Sequence, residues 1–151
     1  MIEELVSYLK SRNLHISTAE SLTGGLLASS IIDVQGASDI IDEAYVTYSP
    51  EAKIKILGVR KESIDNYGVV SKEVAKEMVE GLFNKTNADI CLSTTGFAGP
   101  TGVNVGKVCM GIKVFDDVYL YEENFGNLGR NKVREKTRDF IFTKLMELLK
   151  N

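Results

Sequence analysis

A short polar segment with two adjacent glycines, residues 18–25, joins a predicted strand to a predicted helix and constrains the fold more than any other part of the chain. Residues 14–18 alternate apolar and polar side chains as a half-buried strand does, and apolar residues recur at helical spacing between Leu26 and Ile32. A strand that runs directly into a helix is typical of a sheet covered by helices. Ser21 lies at the predicted start of this helix.

The local pattern leaves two interpretations of this segment open. Serine and glycine before a helix commonly form a plain cap, and Thr23 is suited to cap this one. Alternatively, Gly24 and Gly25 let a ligand approach the backbone, where free amides and the positive end of the helix dipole face it. A phosphate, a carboxylate or a developing oxyanion beside Ser21 suits such a place.

Composition and charge exclude several classes of protein. The 151 residues include 44% hydrophobic and 26% charged side chains with only two prolines, as in one ordinary globular domain spanning residues 1–151. A net charge of -3, with lysines and arginines scattered except in the last helix, disfavours nucleic acid as a partner. The chain has no long apolar run and no basic, apolar leader, so we expect a cytoplasmic protein with no membrane partner. Cys91 and Cys109 lie in apolar runs typical of free buried cysteines, and the single His15 argues against a zinc site.

The order of predicted elements indicates the fold class. Helices are predicted near residues 2–12, 23–33, 51–57, 71–83 and 131–150, and strands near residues 14–18, 44–48, 88–95, 107–115 and 118–125. Helices between strands favour a sheet covered on both faces, and the adjacent late strands require an antiparallel portion. The prediction is an α/β fold, a three-layer α/β/α sandwich with a mixed sheet.

Polar residues follow three of these strands, and strand ends converge in α/β sheets. They are Ser21, the pair Tyr48 and Lys53, and the glycine-rich turn 96–102. One pocket built from all three is therefore expected. A serine nucleophile needs a base beside it, and with His15 as the only histidine, lysine is the remaining candidate. A lysine acts as a base only when burial or nearby positive charge lowers its pKa.

A series of short motifs resembles the CinA C-terminal domain family over about residues 4–148. These motifs are Thr18-Ala19-Glu20-Ser21 with Thr23-Gly24-Gly25, then Gly36-Ala37-Ser38, Val46-Thr47-Tyr48-Ser49 with Glu51-Ala52-Lys53, Leu57-Gly58-Val59, Gly68-Val69-Val70-Ser71 and Thr95-Gly96-Phe97-Ala98-Gly99-Pro100. The resemblance implies an amidohydrolase that converts nicotinamide mononucleotide to nicotinic acid mononucleotide and ammonia in pyridine nucleotide salvage. It implies no metal and no cofactor, a small-molecule nucleotide as partner, and a homo-oligomer, by family resemblance a dimer.

The resemblance also assigns the site residues. It places the nucleophile on Ser21, the proton acceptor on Lys53, and a proton relay or support on Tyr48. The amides of the turn formed by Thr23, Gly24 and Gly25 are expected to hold the oxyanion. Further substrate-binding positions are expected at Thr95, Gly96, Ala98, Gly99, Pro100, Arg130 and Arg134. The two arginines, spaced i, i+4 on one helix face, are expected either to reach a phosphate, even across a subunit interface, or to form a solvated helix start.

The chain departs from the family pattern in three places. Leu22 stands where the family usually has cysteine, residues 101–107 are shorter than the family's loop after Gly-Pro, and residues 125–130 are longer than the usual form. Two alternatives to the enzyme remain open: a non-catalytic nucleotide-binding relative, and an interaction module of the competence or damage response. The chain is expected to lack the phosphohydrolase-like N-terminal domain of longer members.

Overall fold

Five strands form one mixed sheet in the computed structural model, which describes residues 1–151. The strands are β1 (Ile16–Glu20), β2 (Tyr45–Val46), β3 (Ile90–Gly96), β4 (Lys107–Val114) and β5 (Asp117–Asn124). Across the sheet their order is β2-β1-β3-β4-β5. Strand β1 pairs in parallel with both β2 and β3, whereas β4 is antiparallel to β3 and to β5. The carboxyl ends of the first three strands therefore share one edge of the sheet.

Helices cover both faces of this sheet. They are α1 (Ile2–Ser11), α2 (Leu26–Ile32), α3 (Pro50–Leu57), α4 (Lys61–Tyr67), α5 (Lys72–Thr86) and α6 (Arg130–Lys150), with a short 3-10 helix at Ala37–Asp39. A core of 22 buried residues joins α1, α2 and α6 to one face, and a second core of nine residues joins α3 and α5 to the other. This architecture confirms the predicted three-layer α/β/α sandwich with a mixed sheet. No helix has the length and apolar character needed to cross a membrane.

The central strand β3 is buried on both of its faces. Ile90 and Leu92 belong to the larger core, whereas Cys91 between them belongs to the smaller one. Because a strand turns successive side chains to opposite faces, a strand between two helical layers buries both sets. All of these side chains are fully buried.

The structure corrects two predicted elements and adds a helix. Strand β2 is only two residues long and helix α2 begins at Leu26, three residues after the predicted start. Helix α4 was not predicted, because its sequence has no apolar periodicity. It depends on a distant group: the Glu77 carboxylate of α5 accepts hydrogen bonds from the Arg60 amide at 2.8 Å and from the Ser63 hydroxyl. A side chain contributed by another helix thus satisfies the start of α4.

Candidate active site

The candidate site lies at the shared carboxyl edge of the parallel strands. Ser21 follows β1 directly, and the backbone after β2 stays beside it because the Thr47 amide donates to the Glu20 carbonyl at 2.8 Å. Helix α3 begins immediately afterwards, with Pro50 in its first turn and the Ser49 hydroxyl accepting from the Ala52 amide at 3.1 Å. This cap fixes the helix that carries Lys53 relative to the strand end.

Ser21 and Lys53 meet at this edge. The Lys53 ammonium donates to the Ser21 hydroxyl oxygen at 2.9 Å, to the Thr47 carbonyl at 2.7 Å and to the Tyr48 carbonyl at 3.3 Å. Two backbone carbonyls therefore hold two of the three N–H bonds of the amine. In a neutral amine that keeps those two bonds, the lone pair points at the Ser21 hydroxyl, which is the arrangement of a base and its nucleophile.

Burial gives Lys53 an unusual charge equilibrium. Its side chain is 1% exposed, and this desolvation lowers its pKa from 10.5 to about 8. No carboxylate forms an ion pair with it; its three acceptors are a hydroxyl and two carbonyls. A lysine with a pKa near the working pH is available in its neutral form, which is the form a general base requires.

Tyr48 enters the site through its backbone. Its carbonyl accepts from Lys53, whereas its side chain is 60% exposed and its hydroxyl accepts from the Arg130 guanidinium at 2.6 Å. No hydrogen bond joins the hydroxyl to Ser21 or Lys53. The structure thus brings the Ser21 and Lys53 side chains together. The phenol of Tyr48 lies at the mouth of the site, where it contacts Arg130.

Thr94 is a site residue that the sequence analysis missed. Its hydroxyl oxygen accepts from the Ser21 amide at 3.2 Å and lies 2.9 Å from the Thr23 hydroxyl. The expected Thr95 points away from Ser21 and donates to the Val69 carbonyl at 2.9 Å. The alternation of side chains along β3 was the available signal, because Thr94 shares the face of Leu92, which packs with α2.

The turn after Ser21 is held by a buried carboxylate. Glu20 is fully buried, and its carboxylate accepts from the amides of Gly25 at 3.1 Å, Leu27 at 2.9 Å and Ala28 at 3.1 Å. Glu20 therefore caps α2, and the Thr23 hydroxyl does not, which corrects the expected cap. A carboxylate at a helix start is stabilised by the unpaired amides and by the helix dipole.

This cap changes which amides are open to a ligand. The Gly25 amide is occupied by Glu20, and the Gly24 amide donates to the Ser21 carbonyl at 3.1 Å. Of the three amides expected to hold the oxyanion, only that of Thr23 makes no hydrogen bond within the chain, and the Leu22 amide is equally unpaired. The two peptide N–H groups directly after Ser21 are thus the ones that have no acceptor within the chain.

The segment after β3 and the start of α6 close the remaining sides. Ala98 and Gly99 are buried while Pro100 is exposed, and the Gly99 carbonyl accepts from Arg130 at 2.7 Å. Arg134 instead donates to backbone carbonyls of the turn after Ser21. Both expected arginines therefore lie at the site, although in this structure their guanidinium groups bind protein oxygens.

Two further observations concern what the site can hold. The structure has no cluster of three or more His, Cys, Asp or Glu side chains arranged to bind a metal ion. The five principal surface cavities, the two largest about 630 and 560 Å³, are lined by other residues than those of the site. Both members of the pair are buried, Ser21 being 6% exposed and Lys53 1% exposed.

Comparisons with known proteins identify the family of this chain. The family model of the CinA C-terminal domain matches residues 1–149. A CinA-like protein of Fusobacterium nucleatum is 45% identical over 145 residues, which cover 93% of this chain and 35% of that protein. A putative competence-damage inducible protein of Caldicellulosiruptor saccharolyticus is 44% identical over 137 residues, which cover 88% of this chain and 33% of that protein. The chain thus spans about a third of the length of the curated relatives it matches.

Solved structures match over nearly their whole length. The competence/damage inducible protein CihA of Agrobacterium tumefaciens has a TM-score of 0.90 and 34% identity, with 97% of this chain and 94% of that chain covered. A CinA superfamily protein of Escherichia coli has a TM-score of 0.92 and 30% identity, with 97% and 87% covered. By both sequence and fold, the chain belongs to the family of the CinA C-terminal domain.

Proposed function

We propose that this domain is a metal-independent amidohydrolase that deamidates nicotinamide mononucleotide to nicotinic acid mononucleotide and ammonia, with Ser21 as the nucleophile. The observation that carries the proposal is the 2.9 Å contact between the Lys53 amine and the Ser21 hydroxyl, made by a lysine whose pKa is lowered to about 8. A binding module needs neither a buried lysine on a serine nor the energetic cost of keeping it there.

The chemistry follows from these two groups. Neutral Lys53 accepts the Ser21 proton as the serine oxygen attacks the carboxamide carbon, and negative charge develops on the carbonyl oxygen. The Lys53 ammonium then donates its proton to the departing nitrogen, so ammonia leaves and an ester to Ser21 remains. Water attacks this ester with Lys53 again as the base, which regenerates the serine and releases the carboxylic acid.

The nucleotide part of the proposal rests on residues around the pair. Arg130 lies at the exposed mouth of the site, between the Tyr48 hydroxyl and the Gly99 carbonyl, where its remaining N–H groups can bind a phosphate. The family resemblance supplies the specific substrate and a role in pyridine nucleotide salvage. A cytoplasmic homodimer belongs to the same proposal.

One assay tests the proposal. Purified protein is incubated with nicotinamide mononucleotide, and ammonia and the acid product are measured together for the parent, Ser21→Ala and Ser29→Ala. Ser29 is an exposed serine of α2 outside the site and serves as the matched control. We expect equal amounts of both products from the parent and the control and none from Ser21→Ala. If no ammonia appears, binding of the same nucleotide is measured by calorimetry. Heat of binding would then favour the nucleotide-binding alternative, and the absence of heat would favour the interaction module.

A further inference from the structure

Two buried backbone donors follow the nucleophile without an acceptor. Leu22 is 4% exposed and Thr23 fully buried, yet neither amide donates a hydrogen bond within the chain. Buried amides are paired in the great majority of cases, because leaving one unpaired costs free energy comparable to a lost hydrogen bond. Two consecutive exceptions beside a serine nucleophile therefore indicate a site for an anionic oxygen.

A single side chain fixes the carbonyls of this same turn. Arg134 donates from Nε to the Leu22 carbonyl at 2.8 Å and from Nη2 to the Thr23 carbonyl at 3.0 Å. Its Nη1 donates to the Asn131 side-chain oxygen at 3.1 Å, which holds the guanidinium plane against its own helix. A bidentate contact of this kind fixes orientation as well as position.

Gly24 shows how closely the guanidinium approaches the turn. Its φ is +60°, in the region that favours glycine, and a β-carbon there would lie 3.3 Å from Nη2 of Arg134. The glycine thus combines the left-handed turn with the room needed by the arginine. The Arg134 side chain is therefore packed into the turn and does not lie loosely on its surface.

We infer that Arg134 is a positioning residue that holds the turn after Ser21 so that the Leu22 and Thr23 amides form the oxyanion site; this inference rests on the proposed function. The Leu22 carbonyl and the Thr23 N–H belong to one peptide group. A cation on the carbonyl oxygen draws electron density from that group and makes its N–H a stronger donor. Preorganised backbone donors of this kind stabilise the charge that develops in the transition state.

The inference separates the roles of the two arginines. Arg134 donates two hydrogen bonds to backbone carbonyls of the turn after Ser21, whereas Arg130 donates to the exposed Tyr48 hydroxyl and to the Gly99 carbonyl. A phosphate-binding arginine contributes to substrate affinity, but an arginine that shapes an oxyanion site contributes to the chemical step. The two roles therefore predict different kinetic consequences.

The test uses a small serine-reactive fluorophosphonate without a nucleotide part. Its labelling forms the Ser21 Oγ–P bond and breaks the P–F bond, with fluoride leaving and the serine proton passing to Lys53. The labelling rate is measured for the parent, Arg134→Met, Arg134→Lys and Arg138→Met. Arg138 lies one turn further along α6 in a surface ion pair with Asp139 and is the matched control.

We expect both Arg134 variants to label at least about tenfold more slowly than the parent, because a lysine ammonium lacks the rigid planar pair of N–H donors with which the guanidinium orients the two carbonyls. The labelling rate of the Arg138→Met control is expected to stay within about twofold of the parent rate. In the Arg134 variants the pH midpoint of labelling should stay unchanged, because Lys53 keeps its contacts. Low millimolar guanidinium should restore part of the rate in Arg134→Met, which a folding defect would not allow. If both Arg134 variants label within about twofold of the parent, the inference is overturned.

A second arm separates this inference from phosphate binding. Turnover of nicotinamide mononucleotide and of its riboside, which lacks the phosphate, is compared in the Arg134 variants. An equal loss of kcat on both supports the inference, whereas a rise in KM confined to the mononucleotide assigns Arg134 to the phosphate and overturns it. A parent protein that is not labelled at Ser21 at all would remove the proposed nucleophile and the inference together. An effect of Arg134 on labelling, without release of ammonia from nicotinamide mononucleotide, would spare the inference and reject only the substrate.

Discussion

At the scale of single residues, the Ser21–Lys53 contact combines two properties that sequence proximity does not provide. The two residues are 32 positions apart, and the lysine amine lies 2.9 Å from the serine oxygen while 1% exposed. Without burial, a lysine is almost fully protonated at neutral pH and has no lone pair for a proton. Burial therefore converts an ordinary cation into a candidate base.

Replacing Ser21 by alanine should separate chemistry from folding. The hydroxyl is the nucleophile, and its removal leaves Lys53 with the Thr47 and Tyr48 carbonyls as acceptors. We expect a loss of kcat of about a thousandfold or more with the free energy of unfolding within about 1 kcal/mol of the parent. Turnover measured beside denaturant unfolding checks this. Activity within about tenfold of the parent would make Ser21 a structural residue.

The pH dependence of the rate should report on Lys53. Because its pKa is about 8, kcat/KM should rise about tenfold per pH unit below that value and level off above it, as the neutral amine becomes the major form. Lys53→Arg should abolish the rise, since guanidinium stays protonated throughout this range. Rates from about pH 6 to 10 for the parent and the variant provide the measurement. A variant with the parent's rate and profile would exclude Lys53 as the base.

At the scale of elements, the position of α3 depends on a close approach to α5. A β-carbon on Gly81 of α5 would lie 1.8 Å from the carbonyl oxygen of Leu57, the last residue of α3. No side chain fits there, so the backbone of α3 must rest directly on α5. This contact matters for the site because α3 carries Lys53, four residues before Leu57.

Gly81→Ala should therefore destabilise the protein and disturb the site together. Alanine favours helices over glycine by about 1 kcal/mol, yet here the added methyl forces α3 away, which we expect to cost about 2 kcal/mol or more in total. The matched control is Asn84→Ala, at an exposed position on the same helix, which should be neutral or slightly stabilising. Urea unfolding and turnover of both variants check this. A Gly81→Ala variant as stable as its control would show that α3 can shift freely.

At the scale of the whole molecule, the buried amine lowers stability at neutral pH. The native state holds Lys53 with a pKa of about 8, whereas the ordinary value expected of the unfolded chain is 10.5. Between these values the unfolded state binds more protons, so stability rises with pH across this window. Below pH 8 the full penalty is present, roughly 3 kcal/mol at about 1.4 kcal/mol per pKa unit.

Lys53→Met should reveal this penalty in the global free energy of unfolding. We expect its stability relative to the parent to be greatest below pH 8 and to fall by roughly 3 kcal/mol as the pH rises toward 10.5. Using the difference between two proteins cancels the other titrating groups. Lys55→Met, at an exposed position of the same helix, should show a difference from the parent that does not change with pH. Denaturant unfolding at several pH values tests this, and a constant difference for Lys53→Met would contradict the burial of a charge.

The sequence by itself determined the layers of the fold and two of the residues that meet at the site. Apolar periodicity, β-branched runs and residues typical of helix ends located five of the six helices and all five strands, because these patterns follow from local geometry. Ser21 and Lys53 were identified because their motifs stand beside strand ends, and parallel strand ends share one edge. Helix α4 was missed because its first turn is satisfied by Glu77 from another helix.

Only the tertiary structure decided how the remaining groups are used. Thr94 and Thr95 are adjacent in sequence, and the pairing of β3 with β1 selects Thr94 for the Ser21 side. The Glu20 carboxylate accepts a hydrogen bond from the Gly25 amide. Arg134, more than 100 residues further along the chain, donates to the Leu22 and Thr23 carbonyls. Hydrogen-bond partners and burial depend on which segments the fold brings into contact. The pKa of Lys53 is decided in the same way, since desolvation is a property of the folded surroundings and not of the residue.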